Sequence, residues 1–295
     1  MTKTKTSSSS SSSSTGKPSS PSSPPVLSKL PSSFHLEVLE GGKVFQGTNF
    51  LSPTDCDSLV DLAEEFGFKK SPVTGGGHGR TGREDARTNS YTVIEDQQLA
   101  DELWNRVKGV VPQDLCFLLT SPYFTERGGT EWRPVGVVER LRFYRYEKGE
   151  CYPEHMDGSY RRAVATKRQQ HVAYSQQQSF LTLLVYLNEG FEGGETEFFP
   201  EKQHCRFLRD VEVKTPTVRV TPQKGAALIN VHHTLHQGCE VVKGVKYVLR
   251  TDIVYERAMT VTPDMGKNTV VLGNGQATAT QWEKIFEPSC KVYHD

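Results

Sequence analysis

His155 and Asp157, two residues apart in Tyr152-Pro-Glu-His-Met-Asp-Gly158, are the side chains with the clearest chemical use. On an extended segment, residues i and i+2 share one face, about 6.6 Å apart at the Cα level. An imidazole nitrogen and a carboxylate oxygen can then converge on one cation. His236, 79 residues after Asp157, lies on what reads as the end of a strand over 226–231 and offers a third donor. Two histidines and one carboxylate occupy one face of an ion and leave positions open, an arrangement suited to Fe(II). A His-x-Asp pair alone occurs often by chance, so the downstream pattern carries more weight. Lys246 follows His236 by ten residues, in His236-Gln-Gly-Cys-Glu-Val-Val-Lys-Gly-Val-Lys246-Tyr-Val-Leu-Arg250. A lysine returning beside the metal on the next strand can hold an anionic co-substrate, because a buried ammonium needs a carboxylate to offset its desolvation. Arg250 shares the strand parity of Lys246 and competes for that role, although Asp252 offers it a structural ion pair. His232 and His233 compete with His236 for the metal. His233 has the wrong strand parity, and both are assigned to structural support.

Elements must bring these residues together. Residues 34–135 read as a mixed α and β support region. It holds a hairpin over Phe34–Phe50, a helix opened by Ser52-Pro53-Thr54-Asp55, a strand over Asn89–Glu95 and a helix over Asp96–Val107. Ser52 is placed as a helix cap and Pro53 as a first helical residue. Gly75-Gly76-Gly77-His78-Gly79 reads as a flexible loop and lacks the Lys-Ser/Thr of a nucleotide-binding loop. From residue 136 to 257 the pattern becomes short strands between Gly and Pro turns, as in a sandwich or barrel. Strands are expected over 137–146, 181–187, 195–199, 217–220, 226–231 and 246–255. Gly158–Gln178, with Arg161, Arg162, Lys167 and Arg168 and no acid, reads as a loop that could cover the substrate. Residues 258–295 read as a peripheral segment.

In order and spacing these motifs resemble the 2-oxoglutarate- and Fe(II)-dependent dioxygenase superfamily, in particular its prolyl 4-hydroxylase-like branch. The resemblance rests on Tyr146, His155 and Asp157, the turn Gly193-Gly194-Glu195-Thr196, His236 and Lys246, and covers roughly residues 89–255. It implies a mainly β fold with flanking helices (α+β), built on a double-stranded β-helix of the jelly-roll, cupin-like kind. It implies His155, Asp157 and His236 as ligands of Fe(II), with Tyr146, Thr182 and Lys246 in the pocket of the co-substrate 2-oxoglutarate. It implies O2 as the second co-substrate and leaves room for ascorbate as an accessory reductant. The implied activity decarboxylates 2-oxoglutarate to succinate and hydroxylates a protein or peptide side chain, with proline as the candidate residue. A small metabolite as substrate, and a non-catalytic jelly-roll binding protein, are the alternatives. The occupied ligand positions argue against the second. Asp157, where a halogenase carries a small residue, argues against halogenation.

Composition narrows the class further. The 295 residues carry 35 basic and 35 acidic side chains, without the basic excess of a nucleic-acid binder. Residues 1–33 contain the Ser7–Ser14 run, four lysines and no acid. They read as a disordered Ser/Pro-rich tail, from which a chain beginning at Phe34 should lose no stability. No stretch reaches the ~20 apolar residues of a membrane span, and no apolar core of a secretory signal is seen. Six scattered cysteines without a Cys-x-x-Cys pair point to a reduced intracellular protein, cytoplasmic or nuclear. The Ser-rich N-terminus is also compatible with an organelle transit peptide.

Overall fold

The computed structural model describes residues 23–29, 34–71, 88–115, 132–168, 171–200, 215–264, 267–272 and 275–278. The hairpin of β1 (Glu37–Glu40) and β2 (Val44–Gly47) leads into helix α1 (Pro53–Phe66). That helix begins where the Ser52 hydroxyl accepts the Asp55 N–H and the Asp55 carboxylate accepts the Ser52 N–H, a reciprocal cap. The strands β3 (Lys69–Lys70) and β4 (Ser90–Glu95) precede helix α2 (Gln97–Val107), whose first turn is capped by Asp96 accepting the Leu99 N–H at 2.7 Å. The remaining described elements are strands. They are β5 (Arg133–Val137), β6 (Arg140–Tyr146), β7 (Tyr152–His155), β8 (Arg161–Arg168), β9 (His171–Tyr186), β10 (Glu192–Gly193) and β11 (Thr196–Phe198). After them come β12 (Val218–Val220), β13 (Ala227–Val231), β14 (His236–Gly238), β15 (Val241–Lys243), β16 (Lys246–Asp264), β17 (Lys267–Leu272) and β18 (Gly275–Thr278). The fold is therefore β-rich with few helices.

A large sheet runs β1-β2-β13-β9-β16-β6-β4-β3, and a smaller one runs β12-β11-β14-β7. Both faces of the large sheet are buried, and residue parity decides what each side chain meets. Leu141 and Phe143 of β6, Leu181, Leu183 and Val185 of β9 and Leu249 and Ile253 of β16 share one core with Leu59, Leu62, Leu99 and Leu103 of the helices. The alternate positions Tyr144, Tyr146, Tyr186, Leu228 and Val248 form a second core with Phe198 and Val220 of the small sheet. The site residues of β16, Lys246 and Arg250, have this second parity. They lie between the two sheets.

Several expected boundaries move. The strand expected over 137–146 is two strands, β5 and β6, which both pair with β16 at different stretches of its length. The segment 158–178 is not a loop: β8 and β9 pair antiparallel from Arg161↔Gln178 to Arg168↔His171. Its polar residues hid this, because they satisfy one another across the sheet. Gln177 accepts from Arg162 Nε at 2.7 Å and donates to Glu256 at 2.6 Å, while Gln176 accepts from Arg257. The segment after residue 257 continues β16 and adds β17 and β18.

The tail boundary at residue 33 is also too late. Leu27 donates its N–H to Glu102 at 2.8 Å and packs against the helical core. Ser28 donates its N–H and its hydroxyl to the two oxygens of Asp55, at 2.9 and 2.6 Å, and its carbonyl accepts from Arg106. The glycine-rich loop at 75–79 and residues 1–22 lie outside the described residues.

Candidate metal and co-substrate site

The two sheets bring the three expected donors together. His155 on β7 and His236 on β14 stand directly opposite each other in the small sheet. His236 is not on the end of β13, as expected. A turn at 232–234 separates the two, and His236 opens a strand of its own. Asp157 is likewise beyond the end of β7, yet its carboxylate returns to the histidines. Each residue offers one ligand atom, and these atoms all lie within 4.8 Å of one another. His155 Nε2 is 3.8 Å from one Asp157 oxygen and His236 Nε2 is 3.8 Å from the other. No second cluster of this kind occurs among the described residues.

The imidazoles are oriented by the same local device. His155 Nδ1 lies 2.8 Å from the Pro153 carbonyl, and His236 Nδ1 lies 2.8 Å from the Thr234 carbonyl. A carbonyl only accepts, so the proton sits on Nδ1 and each Nε2 keeps a lone pair for a metal. Burial, followed by the neighbouring His236, pushes the His155 pKa down to about 3, which keeps that ring neutral. Tyr152 stacks on His155 with ring centroids 3.5 Å apart.

Asp157 is held from three directions. Its N–H donates to the His232 carbonyl at 2.9 Å, its Oδ2 accepts from the Thr182 hydroxyl at 2.5 Å, and its Oδ1 accepts from Arg250 Nη2 at 2.9 Å. Burial is the largest single effect and would raise this carboxyl, but the Arg250 guanidinium and the His236, His155 and His232 imidazoles together outweigh it and hold it well below the usual carboxylate range. The same Arg250 nitrogen is 3.3 Å from Asp252 Oδ1, and His232 Nε2 is 3.7 Å from that oxygen. Asp252 and Thr182 are cross-strand partners, so one rung of the large sheet carries both supports. Sequence reasoning saw the Arg250–Asp252 pair but missed that Arg250 reaches Asp157 and Asp252 reaches His232. Only a pairing register could have revealed it. His233 is exposed and is not a member of the cluster.

At the other end of the cleft stands Lys246, 4% exposed, paired in register with Tyr146. Its Nζ donates to the Gly194 carbonyl at 2.6 Å, with the rings of Tyr146 and Tyr186 each 5.4 Å away. Among the described residues no carboxylate lies within ion-pair reach of it, and burial brings its pKa down to about 8. The turn at Gly193-Gly194 makes room for it. Gly194 has φ +70°, and a Cβ there would lie 3.0 Å from Lys246 Cδ.

The cleft between these ends, about 440 Å³ with the solvent at its mouth included, is lined by Tyr144, Tyr146, Thr182, Leu184, Lys246 and Arg250 beside the three donors. A His₂-carboxylate face with free Nε2 lone pairs fits Fe(II). A buried lysine without a carboxylate partner fits one end of a dicarboxylate such as 2-oxoglutarate. Arg250 already serves two carboxylates, so Lys246 is the cation left for that ligand. Thr182 lines the cleft, but its hydroxyl is spent on Asp157.

Comparison with known proteins agrees with this chemistry. The sequence model of the 2OG-Fe(II) oxygenase superfamily matches residues 141–251, a span that includes every donor above. Prolyl 4-hydroxylase 2 of Arabidopsis thaliana is 28% identical over 228 residues, which cover 72% of this chain and 67% of that protein. Probable prolyl 4-hydroxylase 6 of the same plant is 26% identical over 257 residues, covering 83% and 78% respectively. Among solved structures, the viral collagen prolyl hydroxylase of Paramecium Bursaria Chlorella virus-1 is similar with a TM-score of 0.41 and 19% identity, over 74% of this chain and 99% of that one. Residues 141–251 thus carry the sequence pattern of the 2OG-Fe(II) oxygenase superfamily, the chain is similar to its prolyl 4-hydroxylases, and both matches support a 2-oxoglutarate-dependent dioxygenase.

Proposed function

We propose that this dioxygenase hydroxylates proline in a protein or peptide substrate, with residues 136–257 as its catalytic core and 34–135 as support. The reading is that the two sheets form a double-stranded β-helix, that His155, Asp157 and His236 hold iron, and that Lys246 holds the distal carboxylate of 2-oxoglutarate. The observation that carries it is the pairing of a His₂-carboxylate face with a buried lysine that meets a backbone carbonyl but, among the described residues, no carboxylate, in one cleft. The prolyl substrate is supported by the curated relatives, which are named prolyl 4-hydroxylases.

Bound iron and 2-oxoglutarate supply the oxidising chemistry: O2 gives one oxygen atom to the substrate C–H and the other to succinate, with release of carbon dioxide. The chain's own residues do the rest. The Pro153 and Thr234 carbonyls keep both Nε2 atoms available and aimed inward. Thr182 and Arg250 keep the Asp157 carboxylate from rotating. Tyr146 and Lys246, both buried, receive the co-substrate, which leaves the part of the cleft beside Tyr152 for the substrate. Incubation with Fe(II), 2-oxoglutarate and proline-containing peptides should give succinate together with a one-oxygen mass gain on proline. Hydroxylation of free amino acids or metabolites, with every peptide unmodified, would sink the peptide reading.

A further inference from the structure

We propose that Arg250 acts through Asp157 as its charge partner, sharing that carboxylate's negative charge with the metal. This rests on the assignment of Asp157 as a ligand. The guanidinium meets Asp157 and Asp252 through one nitrogen, at 2.9 and 3.3 Å, in a buried part of the cleft. Two buried carboxylates facing one another without a cation are strongly unfavourable. Two cations can relieve this pair: the guanidinium from the β16 side, and a divalent ion from the imidazole side. Their contributions therefore overlap.

Orientation is secured separately. Thr182 on Oδ2 and the His232 carbonyl on the Asp157 N–H both remain when Arg250 is changed. Removing Arg250 then takes away charge compensation more than geometry, and the metal takes over the lost share. By linkage the variant should bind the metal more tightly than the natural chain, not less. A residue serving only the fold would lose stability equally in both states. A co-substrate anchor would instead weaken 2-oxoglutarate.

The test uses the full chain, stripped with a chelator and titrated with Mn(II). For Arg250→Gln the Mn(II) dissociation constant should fall about fivefold or more. The loss of melting temperature should be large in chelator and small with saturating Mn(II), and 2-oxoglutarate affinity at saturating Mn(II) should stay within about twofold. Arg250→Lys, which keeps a charge at shorter reach and is the safer variant for folding, should show a smaller rise in Mn(II) affinity of about twofold. Unchanged or weaker Mn(II) binding in both variants would overturn the proposal. So would an equal stability loss with and without metal, including failure of the Gln variant to fold in either state. A natural chain that binds no Mn(II) would instead refute the ligand assignment itself.

Discussion

Individual side chains already divide into those that chemistry needs and those that hold them. His155→Ala, Asp157→Ala and His236→Ala should each abolish Fe(II)-dependent 2-oxoglutarate decarboxylation, because each removes one of three donors within 4.8 Å of one another. His233→Ala should leave turnover unchanged, since that exposed side chain is no member of the cluster. Activity in the His236 variant and none in the His233 variant would reverse the assignment. Lys246 makes a pH prediction. Burial lowers its pKa to about 8, whereas the unfolded chain keeps the proton to the ordinary lysine value of 10.5. Between those values the unfolded chain binds more protons, so stability without co-substrate rises with pH across that window. Below it the buried charge costs about 3 kcal/mol. A carboxylate ligand selects the charged form, so 2-oxoglutarate affinity should be flat below about pH 8 and weaken roughly tenfold per unit above it. Calorimetric titration of the Mn(II)-loaded protein between about pH 7 and pH 9 checks this. Lys246→Arg, always charged, should flatten the profile. The donors and Lys246 were legible because spacing alone carries them. The bond of Thr182 to Asp157, in place of the co-substrate role expected for it, and the contact of Arg250 with Asp157 were not, since they depend on which rungs of two strands face each other.

Elements explain where sequence patterning failed. A strand that buries one apolar face announces itself by alternation, but β9 carries Gln176, Gln177 and Gln178, all buried, before its apolar half. Polar groups answered by Arg162, Arg257 and Glu256 on neighbouring strands look, in the sequence, like a solvated loop. The helices were legible because their signals are local, as with the caps at Ser52 and Asp96. The turn between β10 and β11 shows a local signal with a distant purpose. Gly193 and Gly194 both have positive φ, and Gly194 packs on the Lys246 stem. Gly194→Ala should strain the backbone by about 1 kcal/mol or more and push the lysine. Weaker 2-oxoglutarate binding, by about fivefold or more, should follow with Mn(II) affinity unchanged. Equal weakening of both ligands would mean that the turn supports the whole cleft instead.

The molecule as a whole is two layers closed over a cleft, clamped on the helical side by the chain before β1. Leu27 and Ser28 join α1 to α2: Ser28 bonds Asp55 at the start of the first helix, and Leu27 bonds Glu102 in the second. Arg106 closes the clamp, donating to the carbonyls of Ser28 and Phe50. Its guanidinium is also 3.8 Å from Asp55, and both side chains are only 7% exposed. Composition could not show this, because a Ser/Pro-rich stretch reads as one unit although two of its residues carry specific contacts. A chain beginning at Phe34 leaves Asp55 and Arg106 buried with fewer partners. Each hydrogen bond to a charged group is worth about 1.5–3 kcal/mol when buried, and less at the exposed Ser28. The expected loss is therefore about 1–3 kcal/mol, a drop of several degrees in melting temperature. A chain beginning at Ser23 keeps every contact named here and should melt with the full chain. Ser28→Ala in the full chain should lose about half as much, since it removes the hydroxyl bond and keeps the backbone ones. The cleft lies on the opposite face of the large sheet, so all three variants should keep the 2-oxoglutarate affinity of the full chain. Equal melting temperatures for the Phe34 and Ser23 chains would show that the clamp adds nothing to stability.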